Sequence, residues 1–194
     1  LTSGYTVETM KVDALDRKSV KDFAQKAASL GELKYYIHTA GASPNQASAK
    51  HIIDLDLIAT AIAIDEFGKV IANNGAGLVI SSQTGYMMSF TPEQESLMAL
   101  TPSDELANLD MINKDFAANS GIAYIASKRC NHLRLRTAAA TTWATRRARI
   151  NTISPGIIVT PLAYDEFAAA GEGYQKMIDA SSARRVGTID EIAS

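Results

Sequence analysis

This sequence contains a single cysteine, Cys130, so no disulfide can close within the chain. Three histidines beside that one thiol do not show the spacing of a structural zinc site. Charge of one sign is equally scarce: 19 Lys and Arg stand against 21 Asp and Glu, a net charge of −2, which gives no field for drawing in nucleic acid or an anionic membrane surface. A bilayer-spanning run is missing too. The longest apolar stretch, residues 52–64, is interrupted by Asp54 and Asp56 and reads as a core helix. No signal peptide opens the sequence, so the expected compartment is the cytosol. Internal repeats and low-complexity linkers are also lacking. What is present, 194 residues of which 46% are hydrophobic and 21% charged, suits one domain able to bury a core.

Two hydrophobic periods alternate along the chain. Residues 6–12 are rich in β-formers, and Asp16 can cap a helix whose apolar residues Val20, Phe23, Ala24, Ala27 and Leu30 recur at helical spacing. Residues 33–38 read as a buried strand, residues 48–72 as a helix apolar over much of its circumference, and residues 77–82 as a second buried strand. An alanine-rich helix lies within residues 121–146, and residues 149–154 form another strand, stopped by Pro155-Gly156. Strands separated by helices predict a parallel sheet with helices on both faces.

Within the alanine-rich helix, Tyr124 and Lys128 stand four apart and share a face. An ammonium beside a phenol favours the phenol's ionised form, which makes it usable as a general acid/base. The same pair is a frequent coincidence on exposed helix faces, so its surroundings must decide.

Those surroundings carry a resemblance. The run Tyr124-Ile-Ala-Ser-Lys128 resembles the active-site helix of the short-chain dehydrogenases/reductases, in which a strand ending in Ser-Ser precedes the helix and one ending in Pro-Gly follows it. Ser81-Ser82 and Pro155-Gly156 occupy those places here. The resemblance implies that Tyr124 exchanges a proton with the substrate oxygen, that Ser82 hydrogen-bonds that oxygen, and that Lys128 binds the nicotinamide ribose. Residues 154–161 resemble the family's segment around the nicotinamide, including Pro155 and Gly156; there the Ile158 amide would meet the carboxamide and Thr160 would lie near the phosphates. Asp13 matches the aspartate that contacts the adenine amine. His38-Thr39-Ala40-Gly41 resembles the family's Asn-Asn-Ala-Gly, whose small residues let backbone approach the cofactor ribose. Both asparagines are replaced, which leaves a structural role for His38 open.

Departures from the family pattern are informative. Aligning residues 53–57 with the corresponding helix puts Asp56 where an asparagine usually completes a catalytic tetrad, so Asp56 is either a relay member, paired with Lys128 or altering its field, or a helix residue paired elsewhere. The stretch between Ser82 and Tyr124 exceeds the usual loop, and residues 86–118 are expected to be a helical insertion. Thr91-Pro92 and Thr101-Pro102 each read as a cap followed by a helix-starting proline. Met87, Met88, Met98 and Met111 there would either form an adaptable substrate wall or pack the insertion onto the body. The family's first strand and Gly-rich phosphate loop are expected before Leu1, and a last strand after Ser194. The fold class expected is therefore α/β: a Rossmann-like, doubly wound parallel sheet, incomplete at both ends, with residues 6–12 as the third strand.

The function implied is an NAD- or NADP-dependent oxidoreductase that interconverts an alcohol and a ketone or aldehyde. The alternatives are a catalytically silent binding or scaffold protein of the same fold, or an epimerase or dehydratase of the wider superfamily. The uncovered circumference of the helix at 48–72 suggests a homodimer or homotetramer. Arg146, Arg147 and Arg149 are read as cations at a helix C-terminus rather than a nucleic-acid patch, and Cys130 as a buried helix residue.

Overall fold

Regular structure begins at Asp16, whose carboxylate accepts the Lys18 amide at 2.9 Å and so caps α1 (Arg17–Ser29). The structure, a computed structural model, describes residues 4–161, 163–164, 167 and 171–194. After α1 comes β1 (Tyr35–His38), then a long helical stretch made of α2 (Ala49–Ile52), a π-helical turn (Ile53–Ala59) and α3 (Thr60–Val70). β2 (Ala76–Ile80) leads through α4 (Pro92–Leu100) and α5 (Asp110–Lys114) to α6 (Ser120–Ala140), followed by β3 (Arg149–Ile153), α7 (Glu172–Ala180) and α8 (Ile189–Ala193).

The three strands form one parallel sheet in the order β1-β2-β3, flanked by helices and not closed. Tyr36, Gly77 and Ile150 lie in one row across it. A Cβ at Gly77 would fall 2.5 Å from the ring of Trp143, so the absent side chain makes room for the fully buried indole, whose Nε1 donates to the Ile64 carbonyl at 3.1 Å. Val20 and Ala24 of α1, Ile62 and Phe67 of α3, and Leu135 and Ala138 of α6 complete this core. At the alternate β1 positions, Tyr35 and Ile37 are exposed.

Several expectations are corrected. Residues 6–12 form no strand: their β-formers meet no ladder partner among the described residues, and Tyr5, Val7 and Met10 are exposed. The alanine-rich helix, expected within residues 121–146, runs over Ser120–Ala140 and ends where Thr141 leaves helical geometry at φ −124°, ψ −96°. Arg146 nevertheless serves a helix C-terminus, that of α3, by donating to the Lys69 carbonyl. Thr91 caps α4 in a reciprocal box with Gln94, as its spacing predicts. Thr101 does not cap a second helix. Its amide donates to Leu97 at the end of α4, and a 3₁₀ turn over Ser103–Asn108 follows instead.

The apolar circumference of the long helical stretch is covered within the chain. Ile52, Ile53, Leu57 and Ala61 pack against Met98, Leu106, Ile112 and Phe116 of the 86–118 segment, while Ile62, Ile64 and Phe67 face the sheet core. The expectation that a second subunit supplies this cover therefore loses its basis. Among the described residues no helix is long and apolar enough to cross a membrane.

Candidate active site

The carboxyl ends of parallel strands leave a crevice where ligands bind in open α/β sheets. Here the segment after β1 supplies Thr39, Ala40 and Gly41, the segment after β2 supplies Ser82, and the segment after β3 supplies Gly156, Ile158 and Thr160. Tyr124 and Lys128 reach the same cleft, of about 470 Å³, from the N-terminal half of α6. Nine of the residues singled out from the sequence thus meet in one place. Pro155 is not among the lining residues but contributes its carbonyl, which accepts the Gln83 amide at 2.9 Å and joins the two strand ends. Asp13 is not brought to the cleft: its carboxylate accepts the Leu15 amide at 3.0 Å in a local turn, because the strand expected to carry it does not form.

Asp56 sits directly behind the cleft and is fully buried. Its Oδ1 accepts the Ala42 amide at 2.8 Å, and its Oδ2 lies 3.0 Å from Lys128 Nζ. The π-helical turn is the local device that permits this. Widening the helix there leaves the Asp56 carbonyl to accept the Asn131 side chain at 2.9 Å, which ties the turn to α6. Of the sequence-level alternatives, the aspartate is paired with Lys128. A buried ion pair of this kind gains little stability overall but is costly to halve, so each partner holds the other in place.

Lys128 is buried yet lines the cleft, with Nζ 5.0 Å from the centre of the Tyr124 ring. An ammonium has three donors, and Asp56 engages it from one side. Ser82, also buried, accepts the Thr84 amide at 3.2 Å and the Thr84 hydroxyl at 3.0 Å, which fixes the place of its Oγ at the end of β2. His38 does not line the cleft. Nδ1 meets the Tyr36 hydroxyl at 2.9 Å and Nε2 the Thr60 hydroxyl at 3.0 Å, so its role is structural. Burial, with the charge of Lys128 adding to it, lowers its pKa to about 4.

The fit to a nicotinamide nucleotide can be tested on Gly41. A Cβ there would lie 3.4 Å from Asp56 Oδ1 and 3.5 Å from Lys128 Nζ, in ordinary van der Waals contact, so the backbone at Gly41 passes close beside the buried ion pair. The polar lining of Ser82, Tyr124, Lys128 and Thr160 offers hydrogen-bonding groups to a ligand in this cleft.

Among the lining residues that the sequence reading did not single out are Gln83 and Thr84, which follow Ser82, and Tyr174 and Met177 on α7. Adjacency to Ser82 was a usable signal for the first two; nothing local marks the others. Among the methionines of the 86–118 segment, Met98 is fully buried in the core, and none of the four lines the cleft. Met88, Met98 and Met111 pack in the core cluster beneath this segment, whereas Met87 is exposed. Cys130 is buried on α6, and desolvation pushes its thiol up to about 12, which leaves it inert.

Comparisons with known proteins identify the family and the fold. A family model described as enoyl-(acyl carrier protein) reductase matches residues 1–194. The short-chain dehydrogenase/reductase bsc3 of Alternaria brassicicola is 34% identical, over 98% of this chain and 70% of its own. Among solved structures, the 3-alpha-hydroxysteroid dehydrogenase of Pseudomonas sp. B-0831, complexed with NADH, superposes with a TM-score of 0.73 at 17% identity, covering 95% of this chain and 72% of the other. The structure of ElxO with NADP bound gives 0.65 at 19% identity, covering 96% and 67%. Such distant likenesses bear on the fold.

Proposed function

Because this chain belongs to the short-chain dehydrogenase/reductase family, we propose that it is an NAD- or NADP-dependent oxidoreductase that interconverts an alcohol and a ketone or aldehyde, with Tyr124 as general acid/base. The observation that carries this reading is the meeting of Ser82, Tyr124 and Lys128 in one cleft, with the ammonium against the phenol ring and a buried carboxylate behind it. The NADH and NADP held by the two structural relatives support the coenzyme class. We read the chain as one Rossmann-type domain with residues 86–118 as a helical insertion.

When bound, the coenzyme supplies the hydride; the chain supplies geometry and electrostatics. Ser82 Oγ donates to the substrate oxygen and orients the carbonyl. Tyr124 gives that oxygen its proton, and in the reverse direction takes the alcohol proton as base. Lys128 directs its remaining N–H groups at the ribose hydroxyls, and its charge favours negative charge on the phenol oxygen as the proton leaves. Asp56 fixes that ammonium, while Gly41 and Ala40 would leave space for the ribose and the Ile158 amide would meet the carboxamide. Thr160, on the same segment, would lie on the phosphate side.

Replacing Tyr124 by Phe tests this most directly, since it removes the proton and little else. Turnover of the whole protein against a panel of ketones should fall by roughly 10²–10⁴-fold, with coenzyme affinity within about twofold. A phenylalanine variant as active as its parent would end the assignment.

A further inference from the structure

His132 is a buried titratable side chain that the proposed chemistry does not use. It stands one turn beyond Lys128 and two beyond Tyr124 on the same face of α6. Its Nε2 lies 2.9 Å from Ser81 Oγ and 3.0 Å from Ser154 Oγ. Those serines are not incidental, because Ser81 precedes Ser82 at the end of β2 and Ser154 precedes Pro155-Gly156 at the end of β3. A single imidazole nitrogen therefore spans the two strand ends that carry the substrate-orienting serine and the nicotinamide segment.

Hydrogen-bond accounting fixes how it does so. With the Ser81 hydroxyl donating to the Lys128 carbonyl at 3.4 Å, its oxygen can accept from a His132 Nε2–H. Nδ1 has no partner among the described residues, and a bare lone pair there is cheaper than an orphaned N–H, which favours the same tautomer. Burial and the charges of Arg129 and Lys128 hold the pKa of the ring below its ordinary value, in keeping with a neutral donor. The surroundings are shaped for the ring. A Cβ at Gly85 would stand 2.7 Å from His132 Cε1, and Tyr86 lies over the imidazole with ring centres 4.6 Å apart.

We infer that His132 is a positioning residue, a neutral imidazole whose Nε2–H holds Ser81 and Ser154 together and so sets the placement of Ser82 and of the Pro155-Gly156 segment against Tyr124. It touches neither substrate nor coenzyme and acts through the two serines. The inference rests on the reading of Tyr124 as acid/base.

The test is steady-state turnover of the ketone panel by the whole protein with NADH and NADPH, normalised to folded enzyme, beside coenzyme affinity read from nicotinamide fluorescence. His132→Ala should lower kcat by about tenfold or more, since small misplacements at the reacting centre carry large rate penalties, while coenzyme affinity stays within about threefold. Ser154→Ala should lower kcat severalfold, and adding it to His132→Ala should cost nothing further, because the two act through one bridge. His132→Gln, whose amide N–H groups can reach both serines, should return kcat to within about threefold of the parent. Parental kcat in His132→Ala, full additivity with Ser154→Ala, or a glutamine no better than alanine would each overturn the inference. Should the alanine variant fail to fold, Ser154→Ala and His132→Gln still decide. Tyr124→Phe, run alongside, separates the two ideas: if it keeps its turnover, the underlying reading fails, whereas if it is dead and His132→Ala is silent, only the bridge does.

Discussion

Helix α6 has two faces that do different work. One carries Tyr124, Lys128 and His132 at four-residue intervals toward the strand ends and the cleft. The other carries Ala123, Ala126, Cys130 and Leu133 against Met98, Leu106, Ile112 and Phe116 of the 86–118 segment. The first is mainly polar; the second is mainly apolar, with Arg134 beside it donating to the Met98 and Thr101 carbonyls. Hydrophobic burial is non-directional, so it can press the helix into place without fixing where any single atom goes. Hydrogen bonds and the Asp56–Lys128 pair then set the atoms. Changes on the cleft face should therefore register in kinetics and changes on the packed face in stability, unless a change also leaves a buried charge unpaired.

Lys128→Met breaks that division most severely. It should abolish nearly all turnover and also destabilise the fold by about 3–5 kcal/mol, because Asp56 is left buried and alone. Adding Asp56→Asn should restore most of the stability and none of the turnover. Urea unfolding beside kinetics measures both, and a stable Lys128→Met single variant would show that the pair is not mutually dependent. On the packed face, Phe116→Ala should remove about 3–5 kcal/mol while kcat per folded molecule stays near the parent's. A matching loss of kcat would mean that the faces are coupled.

His38 sharpens the comparison from outside α6, since it is buried for structure yet feels the charge of Lys128. Its folded pKa of about 4 lies below the unfolded value of 6.5. The unfolded chain therefore binds the proton first as pH falls, so stability is fully present above pH 6.5 and drains away toward pH 4. The loss from this group is about 3 kcal/mol at most. Unfolding free energies at pH 7.5 and 4.5 should show that slope in the parent and a shallower one in His38→Gln; identical slopes would exclude His38 as the cause. The smallest effect belongs to Thr91→Ala, which strips one cap from α4 and should cost about 1 kcal/mol with unchanged kinetics.

Legibility followed the range of the forces involved. The cap at Asp16, the box of Thr91 with Gln94, the strands near Ile37, Val79 and Ile150, and the Tyr124–Lys128 spacing are set by neighbours a few residues away. Residues 6–12 misled because a β-rich sequence is a strand only when another strand accepts its hydrogen bonds. Thr101 misled because the same threonine-proline pair can end one helix as readily as start another.

By itself the sequence determined the kind of chemistry on offer: a phenol and an ammonium four residues apart on a helix, between a strand ending in Ser81-Ser82 and one ending before Pro155-Gly156. Only the tertiary structure decided that Asp56 spends its charge on Lys128, that Asp13 stands away from the cleft, that the 86–118 segment covers the long helix, and that His132 joins Ser81 to Ser154. Spacing along a helix or strand is fixed by local geometry that every copy of a motif shares. Which distant side chains meet depends on how separate elements pack, and no short window of sequence contains both partners.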